Sequence, residues 1–471
     1  MTMKIRFSLL VLCSFLLIAC SNKSMVRFEE LSKPLQKEGF AGAIHKVQEE
    51  KDDLYGDNTK FLYHFDLATL YHYNGDYKKS ADEFEKAKQV YEDLYTKSVT
   101  NEAASVVTND NVRPYRARPF EVLALYEMNI VNYLAMKDID GALVESKAAD
   151  IALQALYQKD NKKTNDAGYL RYLIALVYEM EGERDNAAIA YYKTAKAYEE
   201  EGTKLPAEAQ AFIVNTLEKE GRGDDVKSLK LPNANVPMAL PNAVDQEQGE
   251  IVVIGYAGHS AILGEWMLSG TYVRGGVLNV MGKNPQTGRV QSLTIPFPAT
   301  AVGSHGGTTV SVTIAVPERK DVPYRVDNFE ISVNEKKHSV RPEVYLDNTE
   351  HLIKNLDDER ATTLGRTAVR VLTRTIAAQQ AKKAMETNNI FLNLLTSIGT
   401  DVAAGQLEQA DLRVAIFLPH VVRVARIPAK PGTHTVKVIA TDRNGSAVKN
   451  YTYTVNVKAR GKAVVVVPAI R

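Results

Sequence analysis

Two glycine-flanked segments hold the residues that could supply a nucleophile or a base. The first, residues 258–260 (GHS), places a hydroxyl beside an imidazole after an apolar run. A nucleophilic serine on a tight strand-to-helix turn needs G-x-S-x-G, and Ile262 stands at the last position. The second, residues 303–307 (GSHGG), lacks the lysine of a phosphate-binding loop. These loops define an alternative ligand-binding or enzymatic site with three candidate residues: His259, Ser260 and His305.

Other catalytic and metal-binding patterns are missing from the sequence. The nine histidines contain neither H-E-x-x-H nor a pair at i, i+4. Two cysteines are too few for a multi-cysteine zinc or iron–sulfur site. We therefore expect a protein that is not an enzyme and that holds no cofactor and no metal.

The charge balance bears on the class of partner. The 471 residues include 58 basic and 57 acidic side chains, which gives a net charge of +1. Nucleic-acid-binding proteins normally show a strong basic excess, so we expect no nucleic-acid partner.

The first 19 residues have the composition of an export signal. Lys4 and Arg6 precede an uncharged apolar run at residues 7–18, and the small residue Ala19 follows. The run is too short to span a bilayer as a helix. Residues 1–19 are therefore predicted to be a signal peptide that is removed from the mature chain.

The sequence Leu17-Ile18-Ala19-Cys20 resembles the lipobox of bacterial lipoproteins. The resemblance implies acylation of Cys20, with palmitate among the acyl chains, and Ser21 implies sorting to the outer membrane, facing the periplasm, of a Gram-negative cell. An ordinary secretory signal is the alternative. Several acyl chains would hold the protein stably on the membrane, with residues 20–30 as a tether. Removal of residues 1–19 would also remove Cys13 and change the net charge from +1 to −1.

A degenerate helical repeat runs through residues 31–229. Small, aromatic and turn residues recur at common offsets in three windows that begin near Ala68, Ile130 and Ala175, with turns at Gly75, Lys137 and Gly182. The pattern resembles the tetratricopeptide repeat, which implies an α-solenoid of antiparallel helix pairs. Residues 96–118 interrupt it as an insertion, and residues 206–229 are predicted to be a capping helix pair.

A concave groove in such a solenoid could bind a protein partner. Among its many tyrosines, Tyr63 and Tyr172 are candidate contacts, because binding hot spots favour this residue type. Arg113, Arg116 and Arg118 could contact an anionic partner. The alternatives are packing between repeats for the tyrosines, and solvated or helix-bridging roles for the arginines.

The second half changes to strand periodicity. Residues 230–249 are rich in proline and predict a stiff linker, and residues 250–471 predict a β-rich, sandwich-like module. A helical hairpin is expected to interrupt the module at about residues 348–411. Its second segment, residues 387–400, carries no charge; it either dips into the membrane or packs on its own sheet.

Several short blocks are similar to an uncharacterised family of bacterial lipoproteins with tetratricopeptide repeats. These blocks are residues 118–121, 132–135, 140–145, 409–413, 418–419 and 425–426. The chain departs from the family pattern at Ala415, where a tryptophan is expected. The resemblance implies an α+β multidomain protein and no catalytic residue. We therefore expect an outer-membrane lipoprotein that acts as a protein-binding scaffold or accessory factor in cell-envelope assembly.

Overall fold

The computed structural model describes residues 23–96, 113–160, 167–229, 231, 248–272, 277–296, 310–334, 339–384 and 410–470. Helices dominate the N-terminal half and sheets the C-terminal half, so the predicted α+β organisation is confirmed. The helices are α1 Lys23–Glu49, α2 Lys51–Leu54, α3 Lys60–Asn74, α4 Tyr77–Thr96, α5 Pro119–Met136, α6 Ile139–Asp160, α7 Gly168–Glu181, α8 Arg184–Glu201, α9 Ala207–Lys219, α10 Gly223–Ser228 and α11 Asn348–Ala384.

Three helical hairpins, α3–α4, α5–α6 and α7–α8, turn where the repeat pattern places its turns. The capping residue lies in the left-handed region in each case, with φ of 84° at Gly75, 62° at Lys137 and 88° at Gly182. The N–H that follows each cap bonds to a carbonyl of the last helical turn, as Asp138 N does to Tyr133 O at 2.9 Å. The local turn signals therefore predicted the helix ends correctly.

The small residues of the repeat pattern lie where helices pack against each other. Phe84 and Tyr191 fill the adjoining spaces and are fully buried. Large buried side chains of this kind each contribute roughly 1.5–3 kcal/mol through the hydrophobic effect. The fully buried alanines of the pattern are Ala68, Ala87, Ala142, Ala149 and Ala175.

Helix α1 differs from the tether that was expected at residues 20–30. The chain is helical from Lys23, and Ser24 and Arg27 are buried, so this segment belongs to the packed body. The helix is broken at Gly39, whose φ of 76° is open to glycine at little cost.

Eleven strands in the described part of the chain form three sheets. A central sheet has the order β11-β1-β8-β7, an outer sheet β10-β9-β6, and a meander sheet β4-β3-β2-β5. The strands are β1 Gly249–His259, β2 Ile262–Tyr272, β3 Val277–Lys283, β4 Val290–Pro296, β5 Val310–Lys320, β6 Asn328–Val333, β7 Glu343–Asp347, β8 Pro419–Ala429, β9 Gly432–Thr441, β10 Ala447–Val457 and β11 Lys462–Ala469.

The central sheet lies between the helices and the outer sheet. Val252 and Ile254 of β1 pack into the core shared with the helices. Ile251 and Val253 point to the other side, into a core shared with Phe329 of β6. Because both faces are covered, every residue of β1 is buried, which explains its almost continuous apolar sequence.

The meander sheet forms a third core with α11. Trp266 of β2 is buried against this core, to which Ala368 and Leu372 of the helix contribute. The predicted helical segment that begins at about residue 348 corresponds to α11, whereas residues 410–411, at the end of the expected hairpin, are not helical. The second segment of the expected hairpin, residues 387–400, lies outside the described residues. In the parts of the chain that are described, no helix is both long and apolar enough to cross a membrane.

Sequence periodicity located some strands and missed others. Runs of β-branched residues bounded by Gly, Pro and Asn predict strands near residues 251–254, 277–280, 309–316 and 324–333, and alternating stretches predict strands near 434–440 and 451–457. These correspond to β1, β3, β5, β6, β9 and β10. Five strands, β2, β4, β7, β8 and β11, were not predicted. Most of the expected linker at residues 230–249 lies outside the described residues.

Candidate functional site

Residues 410–418 form an extended segment, which we call the clasp, between the helices and β8. Its side chains from Leu412 to Leu418 are all buried. The clasp is not part of a sheet, so its main-chain groups need other partners. A buried N–H or C=O without a partner costs about 1–3 kcal/mol. Side chains on the helices supply these hydrogen bonds.

Two buried carboxylates accept hydrogen bonds from consecutive N–H groups of the clasp. Ala415 N donates to Glu121 Oε1 on α5 at 2.8 Å. Ile416 N donates to Asp66 Oδ1 on α3 at 3.1 Å. The helices therefore bind the clasp main chain much as a neighbouring strand would.

Donors on α1 and α3 bind the carbonyl groups of the same stretch. Tyr73 O–H donates to Phe417 O at 3.0 Å. Arg27 Nη2 donates to Val414 O at 3.0 Å, and its guanidinium stacks 4.8 Å from the centre of the Tyr55 ring. Four successive residues, 414–417, are thus each held through a main-chain atom.

Burial sets the protonation of Asp66. It raises the pKa of this carboxyl from 3.8 to about 7, against the opposing effects of Arg27, the Ile416 N–H and the Tyr55 hydroxyl. Tyr55 O–H donates to Asp66 Oδ2 at 2.9 Å. The carboxyl therefore changes charge near neutral pH while it remains fully enclosed.

Glu121 has a similar environment at the start of α5. Its Oε2 accepts from Tyr115 O–H at 2.6 Å and from Arg118 N at 2.8 Å. Burial raises the pKa of Glu121, and the neighbouring Arg118 side chain limits the rise. The same carboxylate thus caps the helix N-terminus and binds the clasp.

Arg413 fixes the beginning of the clasp. Its guanidinium binds Asp411 with Nε–Oδ1 and Nη2–Oδ2 distances of 2.8 and 2.7 Å. Its Nη1 also donates to Arg113 O at 2.7 Å. Although burial acts to raise it, the pKa of Asp411 is lowered by the hydrogen bond and charge of Arg413.

A second buried polar cluster surrounds Arg426 of β8. Its guanidinium donates to Tyr191 Oη and to Glu179 Oε1, each at 3.0 Å, and also to Glu250 of β1. The group lies 4.6 Å from the centre of the Phe212 ring. Although burial acts to raise them, the positive charges of Arg426 and Lys462 lower the pKa values of both glutamates. This cluster joins α7, α8 and α9 to the central sheet.

Glu208 at the start of α9 is the acid of this cluster whose burial is least offset by nearby positive charge. Burial raises its pKa from 4.5 to about 7, while the Arg426 N–H and charge oppose the rise. Arg426 N donates to Glu208 Oε1 at 3.3 Å, and Glu208 N donates to Glu343 of β7 at 2.8 Å.

The predicted groove residues occupy different environments. Tyr172 is fully buried, with its ring 4.7 Å from that of Tyr345 of β7, and Arg118 is buried with Nη1 3.4 Å from Arg413 O. These two side chains therefore lie inside the molecule, because the central sheet and the clasp cover the helices.

The other three groove residues remain at the rim of the helical half. Arg113 and Tyr63 are half-buried, and Arg116 is exposed. The Lys51 ammonium lies 4.7 Å from the centre of the Tyr63 ring. Partner binding by this set stays a prediction.

The alternative ligand residues lie at the other end of the clasp. His259 is buried, with its ring edge-on to Phe28 at 5.0 Å, and Ser260 N donates to Leu418 O at 3.0 Å. Both residues are thus packed inside the fold rather than at an open loop. His305 and Cys20 lie outside the described residues.

Sequence reasoning missed the residues that form the two polar clusters. Asp66 and Arg426 are charged residues flanked on both sides by apolar ones, which is a signal of a buried, paired group. Glu121, Arg413 and Arg426 also belong to the family-like blocks 118–121, 409–413 and 425–426. Those separated blocks meet at the contacts between the two halves.

The arrangement suits non-covalent binding of a polypeptide main chain. Acids, bases and phenols of the clusters are hydrogen-bonded to one another or to the clasp. Within the described residues no group of three or more His, Cys, Asp or Glu side chains could hold a metal ion. No protein-family model matches the chain, and no curated protein matches it.

Proposed function

We propose that the chain is an outer-membrane lipoprotein, facing the periplasm, that acts as a protein-binding scaffold or accessory factor in cell-envelope assembly. The clasp contacts carry the proposal. Helices α1, α3 and α5 bind the clasp, a segment of the same chain, through its main chain, and the same contacts join helices and sheets into one body. A rigid body of this kind suits a scaffold better than an enzyme with a moving lid.

The helical half is proposed to be tetratricopeptide-like. The support comes from three consecutive helix pairs with left-handed caps at equivalent positions and buried alanines at the helix contacts. In this proposal the groove of the solenoid is occupied by the chain's own clasp and central sheet. A partner would therefore bind at the rim, where Tyr63, Arg113 and Arg116 combine an aromatic ring with positive charge.

The anchor is tested by Cys20→Ser. The lipidated protein is expected to sediment with membranes and to stay there after a salt wash, whereas the variant should become soluble. Lys227→Glu, a change at an exposed residue of α10, is the control and should remain with the membrane. A Cys20→Ser protein that still resists the salt wash would rule out anchoring through this residue.

The scaffold role is tested by crosslinking in intact envelopes followed by pull-down of the lipidated protein. We expect a reproducible protein partner whose recovery falls when Arg113→Glu and Arg116→Glu reverse the charge of the rim. The Lys227→Glu protein should recover the same partner in full. If no reproducible partner is recovered, the proposed scaffold role is wrong.

A further inference from the structure

Two methionine side chains lie on the exposed face of the meander sheet. Met267 of β2 is 44% exposed and Met281 of β3 is 59% exposed. An oxidant in solution can reach the thioether sulfur of an exposed methionine far more easily than that of a buried one. Exposure therefore favours these two side chains over the other methionines that the structure describes, which are buried or half-buried: Met25, Met128, Met136 and Met180.

The strand register places the two thioethers side by side. Ser269 of β2 lies directly opposite Met281 of β3. Met267 precedes Ser269 by two residues, so it lies on the same face of the sheet and is the diagonal neighbour of Met281. A Cβ atom at Gly282 would overlap with Met267 O, which shows that β2 and β3 stay close together here. Diagonal neighbours are about 7–8 Å apart, a gap that long, flexible methionine side chains can bridge.

Serine hydroxyl groups flank Met281 on both sides. Its direct partners in the neighbouring strands are Ser269 of β2 and Ser292 of β4. Both serines are exposed on the same face of the sheet. An oxygen atom on the sulfur of Met281 could accept a hydrogen bond from either hydroxyl, because a hydroxyl can turn to donate. An oxidised Met281 is therefore accommodated without an unpaired polar group in the core.

Met128 of α5 has the opposite environment. It is 3% exposed, and its sulfur accepts from Thr69 Oγ1 of α3 at 3.9 Å. An oxygen atom added there would be buried among the apolar side chains of the helical core, which would disrupt their packing. Met128 thus serves as an internal reference for a methionine that the fold protects.

We propose that Met267 and Met281 form a reversible oxidation site for hydrogen peroxide and other two-electron oxidants. The sulfur lone pair attacks one peroxide oxygen, the O–O bond breaks, and the released hydroxide takes up a proton to become water. The thioether loses two electrons and becomes a sulfoxide, while the peroxide is reduced. A methionine sulfoxide reductase restores the thioether and releases water as a dithiol becomes a disulfide.

Oxidation at this site changes the polarity of the exposed face. Each sulfoxide replaces an apolar group by a polar one, next to hydroxyl groups that already face solvent. In the proposed lipoprotein, Cys13 leaves with the signal peptide and Cys20 carries the acyl chains, so the thioethers are the sulfur groups that remain reactive. This last step depends on the proposed anchor, whereas the oxidation site itself does not.

Peptide mapping by mass spectrometry, after brief treatment of the full-length protein with hydrogen peroxide, tests the site. We expect Met267 and Met281 each to gain about 16 Da, one oxygen atom, before Met128 does. The oxidised protein should keep its urea midpoint and the emission of Trp266, the one tryptophan of the chain, which lies on the buried face of the sheet. Methionine sulfoxide reductases with a dithiol should remove the added mass.

Matched variants assign the early gain in mass to this pair. Met267→Leu with Met281→Leu should abolish it and leave the urea midpoint unchanged. Met180→Leu, at a half-buried site on α7, is the control and should leave the early gain as it is.

Three outcomes would overturn the proposal. One is oxidation of Met128 as early as Met281, because exposure would then not select the site. Another is a lower urea midpoint or a loss of Trp266 emission when only Met267 and Met281 are oxidised. The third is a sulfoxide that the reductases leave unchanged. None of these outcomes depends on membrane anchoring or on a protein partner, so failure of this site and failure of the scaffold role can be told apart.

Discussion

The carboxylate of Asp66 accepts a hydrogen bond from the main-chain N–H of Ile416 at 3.1 Å, across 350 positions of sequence. Asp66 lies on the third helix and Ile416 in the clasp, so this contact spans the two halves of the chain. Both residues are buried. The stability of the whole body therefore depends on the ionisation of a carboxyl group that has no contact with solvent.

Asp66→Asn should flatten the dependence of stability on pH. The pKa of Asp66 is about 7 in the folded protein and 3.8 ordinarily, so the folded state holds the proton more tightly. The contribution of Asp66 to the free energy of unfolding therefore falls by up to about 4 kcal/mol as pH rises from about 4 to 7. Asparagine keeps an acceptor oxygen without titrating in this range.

Urea unfolding of both proteins at several pH values checks this prediction. Glu208, whose pKa is also about 7, remains in both proteins, so the difference between the two curves isolates Asp66. Parallel curves between about pH 4 and 7 would contradict it.

Glu121→Ala should destabilise the protein by about 2–5 kcal/mol, because two buried donors each lose an acceptor. The change leaves the Ala415 N–H and the Tyr115 hydroxyl without this acceptor, while Arg118 keeps the Glu359 carboxylate at 3.7 Å. Glu121→Gln keeps one acceptor and should cost less. Denaturant midpoints measure both changes. The control is Asp82→Ala at an exposed site of α4, which should change stability by less than about 0.5 kcal/mol; an equal loss in control and test would refute the clasp contact.

Gly255→Ala should lower stability by about 1–3 kcal/mol because of one close contact. A Cβ atom at this position of β1 would lie 2.5 Å from Cε2 of the buried Phe329. A double-mutant cycle with Phe329→Leu should show a coupling of about 0.5–3 kcal/mol, since the smaller side chain makes room for the methyl group. Additive losses in the cycle would mean that the two residues do not compete for space.

Lys137→Gly should raise the free energy of unfolding by about 0.5–1 kcal/mol. Lys137 has φ of 62° at the end of α5, a conformation that costs a residue with a side chain about 1–2 kcal/mol. Glycine avoids this cost, but its greater conformational entropy in the unfolded chain offsets part of the benefit. Gly182→Ala at the equivalent cap should lower stability by about 1 kcal/mol. Thermal unfolding compares the two; a loss of stability in Lys137→Gly would show that the lysine side chain contributes more than the strain removes.

Local signals predicted the helical half well. The turns at Gly75 and Gly182 depend on the left-handed conformation that glycine allows, and that requirement can be read from neighbouring residues alone. Lys137 was placed at the same turn by its offset in the repeat, although its residue type gives no such signal. The small residues at the helix contacts follow the same short-range periodicity.

Strand predictions succeeded where the local pattern is clear, as in the continuously apolar β1 and the alternating β9 and β10, and failed where it is broken, as in β8. The hairpin β9–β10 alternates clearly because one of its sides meets solvent. Strand β8 is largely buried between helices and the outer sheet, and its two arginines, Arg423 and Arg426, break any apolar pattern. A charge in such a strand is tolerated only because partners from distant residues surround it.

The sequence by itself determined where three helix pairs turn, the change from helical to strand periodicity, and the small positions that allow helix pairs to pack. Only the tertiary structure decided that the clasp fills the space beside the helices and that Tyr172 and Arg118 lie inside. Those outcomes depend on contacts between residues hundreds of positions apart, such as Asp66 with Ile416 and Glu179 with Arg426. A periodic pattern reports the neighbours of a residue along one helix or strand, whereas burial of a charge depends on which distant partner reaches it.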